Sequence, residues 1–219
     1  MTTNRPITLF YSPQTRATGA RVLLEELKAP YELHVLNMKA DEQRQPAYLA
    51  INPLGKVPAV RVGDTLVTEQ GAIYLYLADL YPEAGLAPAI DDPERGAYVR
   101  WLFIYGNCFE PAVVDRHMKR DPASMNETPY ASYDSLIDLV EETLKKGPYL
   151  LGERFTAADL LWGIALRWTT MFGLVETRPA FQAYMARIDG RASIQKVWAE
   201  DAAMVAMHEA AVKARELVG

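Results

Sequence analysis

One cysteine, Cys108, and three histidines, His34, His117 and His208, are all that 219 residues carry of thiol and imidazole chemistry. A single thiol rules out an intrachain disulfide framework, a Cys-x-x-Cys redox pair and every multi-cysteine zinc site, and it suits a reducing compartment. The histidines stand far apart, with no carboxylate motif at metal-ligand spacing beside them, so no metal is expected. Long apolar runs are missing too. The longest, Leu160 to Leu166, falls well short of the roughly 20 residues that span a bilayer. Residues 1 to 6 are polar, and the apolar run behind them, Ile7 to Tyr11, is too short for a signal-peptide core. A cytoplasmic protein is the expectation. Nor is there a surplus of basic charge: 23 Lys and Arg against 28 Asp and Glu leave a net −5, a field that repels phosphate backbones and anionic lipid. Neither nucleic acid nor membrane is expected as a partner. What remains is 50% hydrophobic, 10% aromatic and 23% charged, which excludes a disordered chain and supplies core for one large domain or two small ones.

Periodicity divides the chain. Ile7 to Tyr11 reads as a short strand, broken by Ser12-Pro13, and Ala20, Leu23, Leu24 and Leu27 follow at helical spacing up to Ala29-Pro30. Tyr31 to Leu36 is a second strand candidate and Gln43 to Ala50 a short helix. Ala59 to Val62 and Thr65 to Thr68 flank a Gly63-Asp64 hairpin turn, and Ile73, Tyr76, Leu77 and Leu80 mark another amphipathic helix. The order βαβαββα makes a small α/β unit over 1–81. Residues 82–93, with three prolines, one glycine and little periodicity, read as a linker. Everything in 94–219 has helical spacing: Tyr98, Trp101, Leu102, Tyr105 and Phe109; then Tyr133, Leu136, Ile137, Val140 and Leu144; then Phe181, Tyr184, Met185 and Ile188; and a terminal helix over Ala199 to Val218. Within it, Phe155-Thr156-Ala157-Ala158-Asp159-Leu160 has the form of a capping box with Phe155 stapled onto Leu160.

Three places in the first 80 residues depart from plain packing. Tyr11-Ser12-Pro13-Gln14-Thr15-Arg16 joins a strand end to a helix start, where unpaired amides and the helix dipole favour an anion or a polarised thiol; the alternative is that Ser12 only caps the helix. Lys56-Val57-Pro58 enters a strand. A cis Val57-Pro58 bond would turn the Val57 backbone outward, where an extended peptide can pair with it, whereas a trans proline would be an ordinary edge residue. Glu69-Gln70-Gly71 precedes a helix and offers a carboxylate for an ammonium beside amides for a carboxylate, or else a solvated helix start.

In order and in motif the chain resembles the cytosolic glutathione transferase superfamily over nearly its whole length, and is similar to its serine-type bacterial, phi-like and theta-like members. The resemblance is carried by Ser12-Pro13-Gln14-Thr15-Arg16, by Gln45 through Pro58 with its Asn52-Pro53-Leu54-Gly55-Lys56-Val57-Pro58 run, by Glu69-Gln70-Gly71-Ala72-Ile73-Tyr74, and by the Thr156 to Asp159 box. It implies a thioredoxin-like N-terminal domain, an all-helical C-terminal bundle, and glutathione bound along the first domain. Carried over, Ser12 donates to the glutathione sulfur, with Tyr11 and Thr15 as fallback donors. Val57 and the cis-proline Pro58 hold the cysteinyl backbone, Glu69 and Gln70 the γ-glutamyl head, and Gln43, Arg44 and Lys56 the glycyl carboxylate. Gln70 departs from the usual serine or threonine. A thiol pKa near 8.5 falls by roughly two units for about 2.7 kcal/mol. A hydrogen bond to a charged acceptor contributes about 1.5–3 kcal/mol and a helix N-terminus about 0.3–1.

The implied activity is conjugation of the glutathione thiolate to a small hydrophobic electrophile. The alternative is a non-catalytic carrier or interaction module on the same fold. Cys108 reads as a packed, inert thiol. Trp101, Tyr105, Phe109, Trp168 and Phe172 read mostly as core, with one or two facing an electrophile. Apolar residues on several sides of the Ile73 to Leu80 helix, together with the family pattern, imply a homodimer.

Overall fold

The computed structural model of the chain describes residues 5–120 and 123–216. The β-rich run at the start forms β1 (Ile7–Tyr11), and α1 (Ala17–Glu26), β2 (Glu32–Val35) and α2 (Pro46–Leu49) follow. β3 (Ala59–Val62), β4 (Thr65–Thr68) and α3 (Gln70–Leu80) complete the predicted βαβαββα order. The short helix expected over Gln43 to Ala50 is split. A 3-10 turn spans Glu42–Arg44, and Gln45 stays extended ahead of Pro46, as a residue before proline prefers. The sheet runs β2-β1-β3-β4, with β1 parallel to β2 and the other pairs antiparallel. In register, Leu9 lies beside Leu33 on one side and Val60 on the other. Leu9, Val60 and Val62 of the sheet and Ala20, Leu23 and Leu24 of α1 are all without exposure, and α1 packs on β1. α1 closes through Lys28 in the left-handed conformation, its amide on the Glu25 carbonyl.

Then come α4 (Arg95–Ile104), α5 (Glu110–His117), α6 (Tyr133–Leu144), α7 (Ala157–Met171), α8 (Pro179–Asp189) and α9 (Ala192–Glu216). Between α4 and α5 the chain makes a π-helical turn, Tyr105–Phe109. Pro111 has no amide and in a regular helix would collide with the carbonyl four residues back; widening the turn relieves this. By packing, the chain divides into Met1–Ile73 with Ala192–Gly219, and Tyr74–Arg191. This grouping differs from the expected 1–81, 82–93 and 94–219 at three points, the first being that residues 74–81 fall in the second unit. The proline-rich stretch is packed, with Leu86 buried and its carbonyl accepting from the Ala157 amide at 2.8 Å. The last helix begins at Ala192 rather than Ala199 and packs on α1, burying Ile194, Val197 and Asp201 at i, i+3 and i+7. The end expected at Val218 lies outside the described residues.

The helical unit is built around α7, whose residues Ala157 to Gly163 are buried on every side. Trp162 lies 5.3 Å from the Trp101 ring and 4.9 Å from Phe109, and its indole N–H donates to the Trp101 carbonyl at 3.0 Å. Phe172, one of the five aromatics read mostly as core, caps the end of α7 at 69% exposure, where Gly173 turns the chain at φ +66°. A Cβ on Gly163 would sit 2.6 Å from Ile188, so glycine is what lets α7 and α8 meet.

The capping box forms, and Asp159 does more than cap. Its carboxylate accepts from the Thr156 amide at 2.8 Å and hydroxyl at 2.9 Å, the Leu150 amide at 2.8 Å and the Tyr184 phenol at 3.0 Å. Burial pushes this carboxyl upward while the four donors pull it back. Asp159→Ala strands several buried donors at about 1–3 kcal/mol each, so a loss of at least about 2–4 kcal/mol is expected in urea unfolding of the whole chain.

Candidate functional site

Sheet register explains how residues far apart in sequence come together. β1 ascends, β3 descends and β4 ascends, and Phe10, Ala59 and Thr68 lie in one row across the sheet. The residues just beyond that row are Ser12 after β1, Val57-Pro58 before β3 and Glu69 after β4. All three therefore emerge at the same sheet end. β2 is parallel to β1, so the segment that follows it, carrying Gln43 and Arg44, starts from that end as well.

The Val57-Pro58 bond is cis. Val57 precedes the first ladder pair, Ala59 with Thr68, and so lies outside the sheet's own pairing. The loop leading into it is braced from within. Buried Asn52 donates to the Lys56 carbonyl at 2.9 Å and accepts the Leu54 amide at 3.2 Å, and the Tyr48 phenol donates to the same carbonyl at 2.6 Å. Gly55 turns at φ +59°, and a Cβ there would meet the Gln43 carbonyl at 2.8 Å and the Arg44 guanidinium at 3.0 Å. This close approach brings Gln43 and Arg44 against the loop, where Arg44 donates to the Leu54 carbonyl at 3.4 Å. Gln43 is buried, its amide group on Asp41 at 3.3 Å and its carbonyl oxygen unpartnered. Lys56 is exposed, and its ammonium has no partner among the described residues.

Glu69 occupies the left-handed region at φ +66°, a conformation a non-glycine residue adopts only when its surroundings demand it. Its carbonyl receives the Ile73 amide at 2.9 Å and so opens α3, while its exposed carboxylate has no partner among the described residues. Gln70 donates to the Arg16 carbonyl at 3.3 Å, joining the start of α3 to the loop after β1.

Among the three hydroxyls proposed near the sulfur, the structure makes a distinction. Tyr11 is fully buried and gives its phenol to Asp201; burial first, and then the Asp201 charge, push that phenol above its ordinary pKa. Thr15 donates to the Ser12 carbonyl at 2.7 Å and accepts the Ala17 amide at 3.1 Å, so it holds the start of α1. Ser12 does not cap α1: the N-cap position is Arg16, and it is the Thr15 hydroxyl that takes the Ala17 amide. Ser12 is 3% exposed, and its hydroxyl bonds to no described residue.

Asp201 was not singled out in the sequence. Its signal there is an acid at i+7 on the apolar stripe begun by Ile194 and Val197, visible only once the helix starts at Ala192. Cys108 sits in the π turn, half-buried, its thiol on the Pro129 carbonyl at 3.3 Å and pushed up by burial. No described helix is long and apolar enough to cross a membrane.

A four-stranded mixed sheet of thioredoxin type, with this set of groups at one end and a helical unit after it, defines a glutathione-transferase fold. Two family models match: glutathione S-transferase, N-terminal domain, over residues 5–79, and glutathione S-transferase, C-terminal domain, over 122–192. The chain is 30% identical to Glutathione S-transferase F13 of Arabidopsis thaliana, over 86% of this chain and 93% of that protein. It is 28% identical to Disulfide-bond oxidoreductase YfcG of Escherichia coli, over 84% and 91%. A crystal structure of a glutathione transferase homolog from Sulfitobacter with bound glutathione matches with TM-score 0.73 at 31% identity, covering 90% of this chain and 98% of that one. The chain belongs to the glutathione S-transferase superfamily.

Proposed function

We propose that the protein is a glutathione transferase in which Ser12 stabilises the glutathione thiolate for attack on a small hydrophobic electrophile. The observation that carries this reading is the Ser12 hydroxyl, nearly buried, without a described partner, and on the same sheet end as Val57, Lys56 and Glu69. Glutathione lies extended along that end. Its cysteinyl amide and carbonyl pair with the Val57 backbone as an added strand would. Glu69 meets the γ-glutamyl ammonium, and Gln70 with the first amides of α3 meets the carboxylate beside it. Lys56, with Arg44 and Gln43, holds the glycyl carboxylate; Lys56 is the cation best suited, since no described residue engages it.

Ser12 is a hydrogen-bond donor and glutathione sulfur is the nucleophile, so no bond forms to the protein. The sulfur's proton leaves to solvent, and the carbon–sulfur bond forms as the electrophile's leaving group departs or its double bond takes up the electrons. Thr15 and Tyr11, bound elsewhere, give way to Ser12 as the donor. The kinship with a disulfide-bond oxidoreductase supplies a second reading, thiol–disulfide exchange by the same bound thiolate. Cys108 does not serve it, being half-buried and pushed toward the neutral thiol. Turnover of an aromatic halide against turnover of a small disulfide, each with glutathione, separates the two. A non-catalytic carrier would retain glutathione and turn over neither. The cytoplasm, which keeps a lone thiol reduced, is the setting proposed.

Ser12→Ala is expected to lower kcat roughly ten- to a hundredfold, about 1.4–2.7 kcal/mol, with little change in glutathione affinity. The pKa of the bound thiol, read by ultraviolet absorbance of the thiolate, rises, and the rising limb of the pH–rate profile moves to higher pH. Glu69→Ala has the opposite pattern: calorimetry is expected to show a glutathione dissociation constant raised about tenfold or more, with the thiol pKa in the complex unchanged. A homodimer is also proposed. α3 leaves Leu75 and Tyr76 half-buried and α4 leaves Phe103 55% exposed, apolar surface that a two-fold partner covers. Light scattering at micromolar concentration is expected to return twice the 24.5 kDa chain mass.

A further inference from the structure

We propose that Asp201 is a positioning residue for the chemistry assigned to Ser12: from the buried face of α9 its carboxylate sets where the Ser12 hydroxyl stands. This rests on the Ser12 reading. Asp201 is 1% exposed. One carboxylate oxygen accepts the Tyr11 phenol and lies 3.7 Å from the Arg21 guanidinium; the other accepts the Gln14 backbone amide at 2.9 Å and the Thr18 hydroxyl at 2.7 Å. The three donors bracket Ser12, one residue before it, two after it, and in the first turn of α1.

Each contact fixes a different freedom. Tyr11 anchors the end of β1. Gln14 stands in the left-handed region at φ +53°, an uncommon and costly conformation for a non-glycine residue, and its amide is held there from outside the loop by Asp201. Thr18 locks the start of α1, and Thr15 then ties the Ser12 carbonyl itself at 2.7 Å. The backbone of Ser12 is thereby clamped from both sides while its hydroxyl stays available. The charged groups facing Asp201 are Arg21 from α1 and its own neighbour Glu200, which Arg21 also pairs. The carboxylate is thus partly balanced, and its proposed effect on the thiol is geometric. A hydrogen bond to sulfur weakens steeply once the donor is displaced or turned. No local motif near Ser12 supplies this clamp. It comes from a helix 190 residues away.

The test uses the full chain with glutathione, comparing Asp201→Asn and Thr18→Val, each alone and combined with Ser12→Ala. Asp201→Asn is expected to stay folded by circular dichroism, to raise the bound thiol's pKa by about one unit and to lower kcat about tenfold, with the glutathione KM changed less than about threefold. Thr18→Val, which removes one contact, should move both quantities the same way by less. In the Ser12→Ala background neither substitution should move the thiol pKa further. A lowered melting temperature with an unchanged thiol pKa and kcat would make Asp201 merely structural and overturn the inference. A pKa shift that persists without the Ser12 hydroxyl would overturn it too. Should Asp201→Asn fail to fold, Thr18→Val decides alone, and a wild-type thiol pKa in that variant sinks the proposal. A thiol pKa that does not respond to Ser12→Ala itself rejects the Ser12 reading, and this inference with it.

Discussion

Asp201 puts a carboxylate on the face of α9 that turns away from solvent, and a charge there is tolerated only where protein groups replace the water it has lost. Tyr11, Gln14 and Thr18 replace it, and Arg21 stands 3.7 Å away. The dependence runs in both directions. Without those donors α9 could not bury this face, and without the carboxylate the Tyr11 phenol, the Gln14 amide and the Thr18 hydroxyl would each need another partner in a packed interior. Around this point a wider polar layer joins α1 to α9. Arg21 pairs with Glu200, the Tyr31 phenol bridges Arg21 and Glu25, and Lys196 reaches Glu25 at 2.8 Å. Each outer pair has one member whose side chain is open to solvent, Glu200 or Lys196, and adds little singly. The buried centre decides how the last helix docks.

The sheet below is as consequential for the site, in a different way. Its contribution is direction. One parallel and two antiparallel pairings deliver three connections to one end, and each brings a different chemistry: a hydroxyl, an unused stretch of backbone, and a carboxylate. Close contacts then set the fine positions. Gly55 lets the chain pass within reach of the Gln43 carbonyl, and Asn52 with Tyr48 pins the carbonyl just before Val57. The helical unit repeats the buried-carboxylate device. Asp159 collects four hydrogen bonds and fastens Leu150 and Tyr184 to the start of α7. It differs in range. Two of its bonds are to Thr156, three residues back, whereas every bond to Asp201 reaches across more than 180 residues.

That difference in range separates what was legible in the sequence from what was not. The strands, α1, α6 and the Thr156–Asp159 box could be read because each is decided by neighbours within about one or two turns of chain. The sequence also placed Ser12, Val57, Pro58 and Glu69 at element boundaries, and the resemblance to the family arranged them around one ligand. The π turn before Pro111, the exposure of Phe172 and the seven-residue-earlier start of α9 were not legible. The early start of α9 answers to its packing on α1, the exposure of Phe172 to where α7 ends, and the π turn to the widening that Pro111 requires.

By itself, then, the sequence determined the class of fold, the order of its elements, the absence of an intrachain disulfide and the candidates for holding glutathione. The fold class and element order follow from composition, short-range periodicity and spacing, which do not depend on where distant residues lie; the glutathione candidates follow from the resemblance to the family. Which of three neighbouring hydroxyls is left available was a tertiary decision. Read along the chain, only the resemblance to the family puts Ser12 first, with Tyr11 and Thr15 as fallback donors; no local propensity ranks the three. The folded chain engages two of them, because Asp201 arrives from α9 to take Tyr11 and the α1 start takes Thr15. Hydrogen-bonding capacity is finite and is assigned by proximity, and proximity between residues 11 and 201 exists only once the chain has folded.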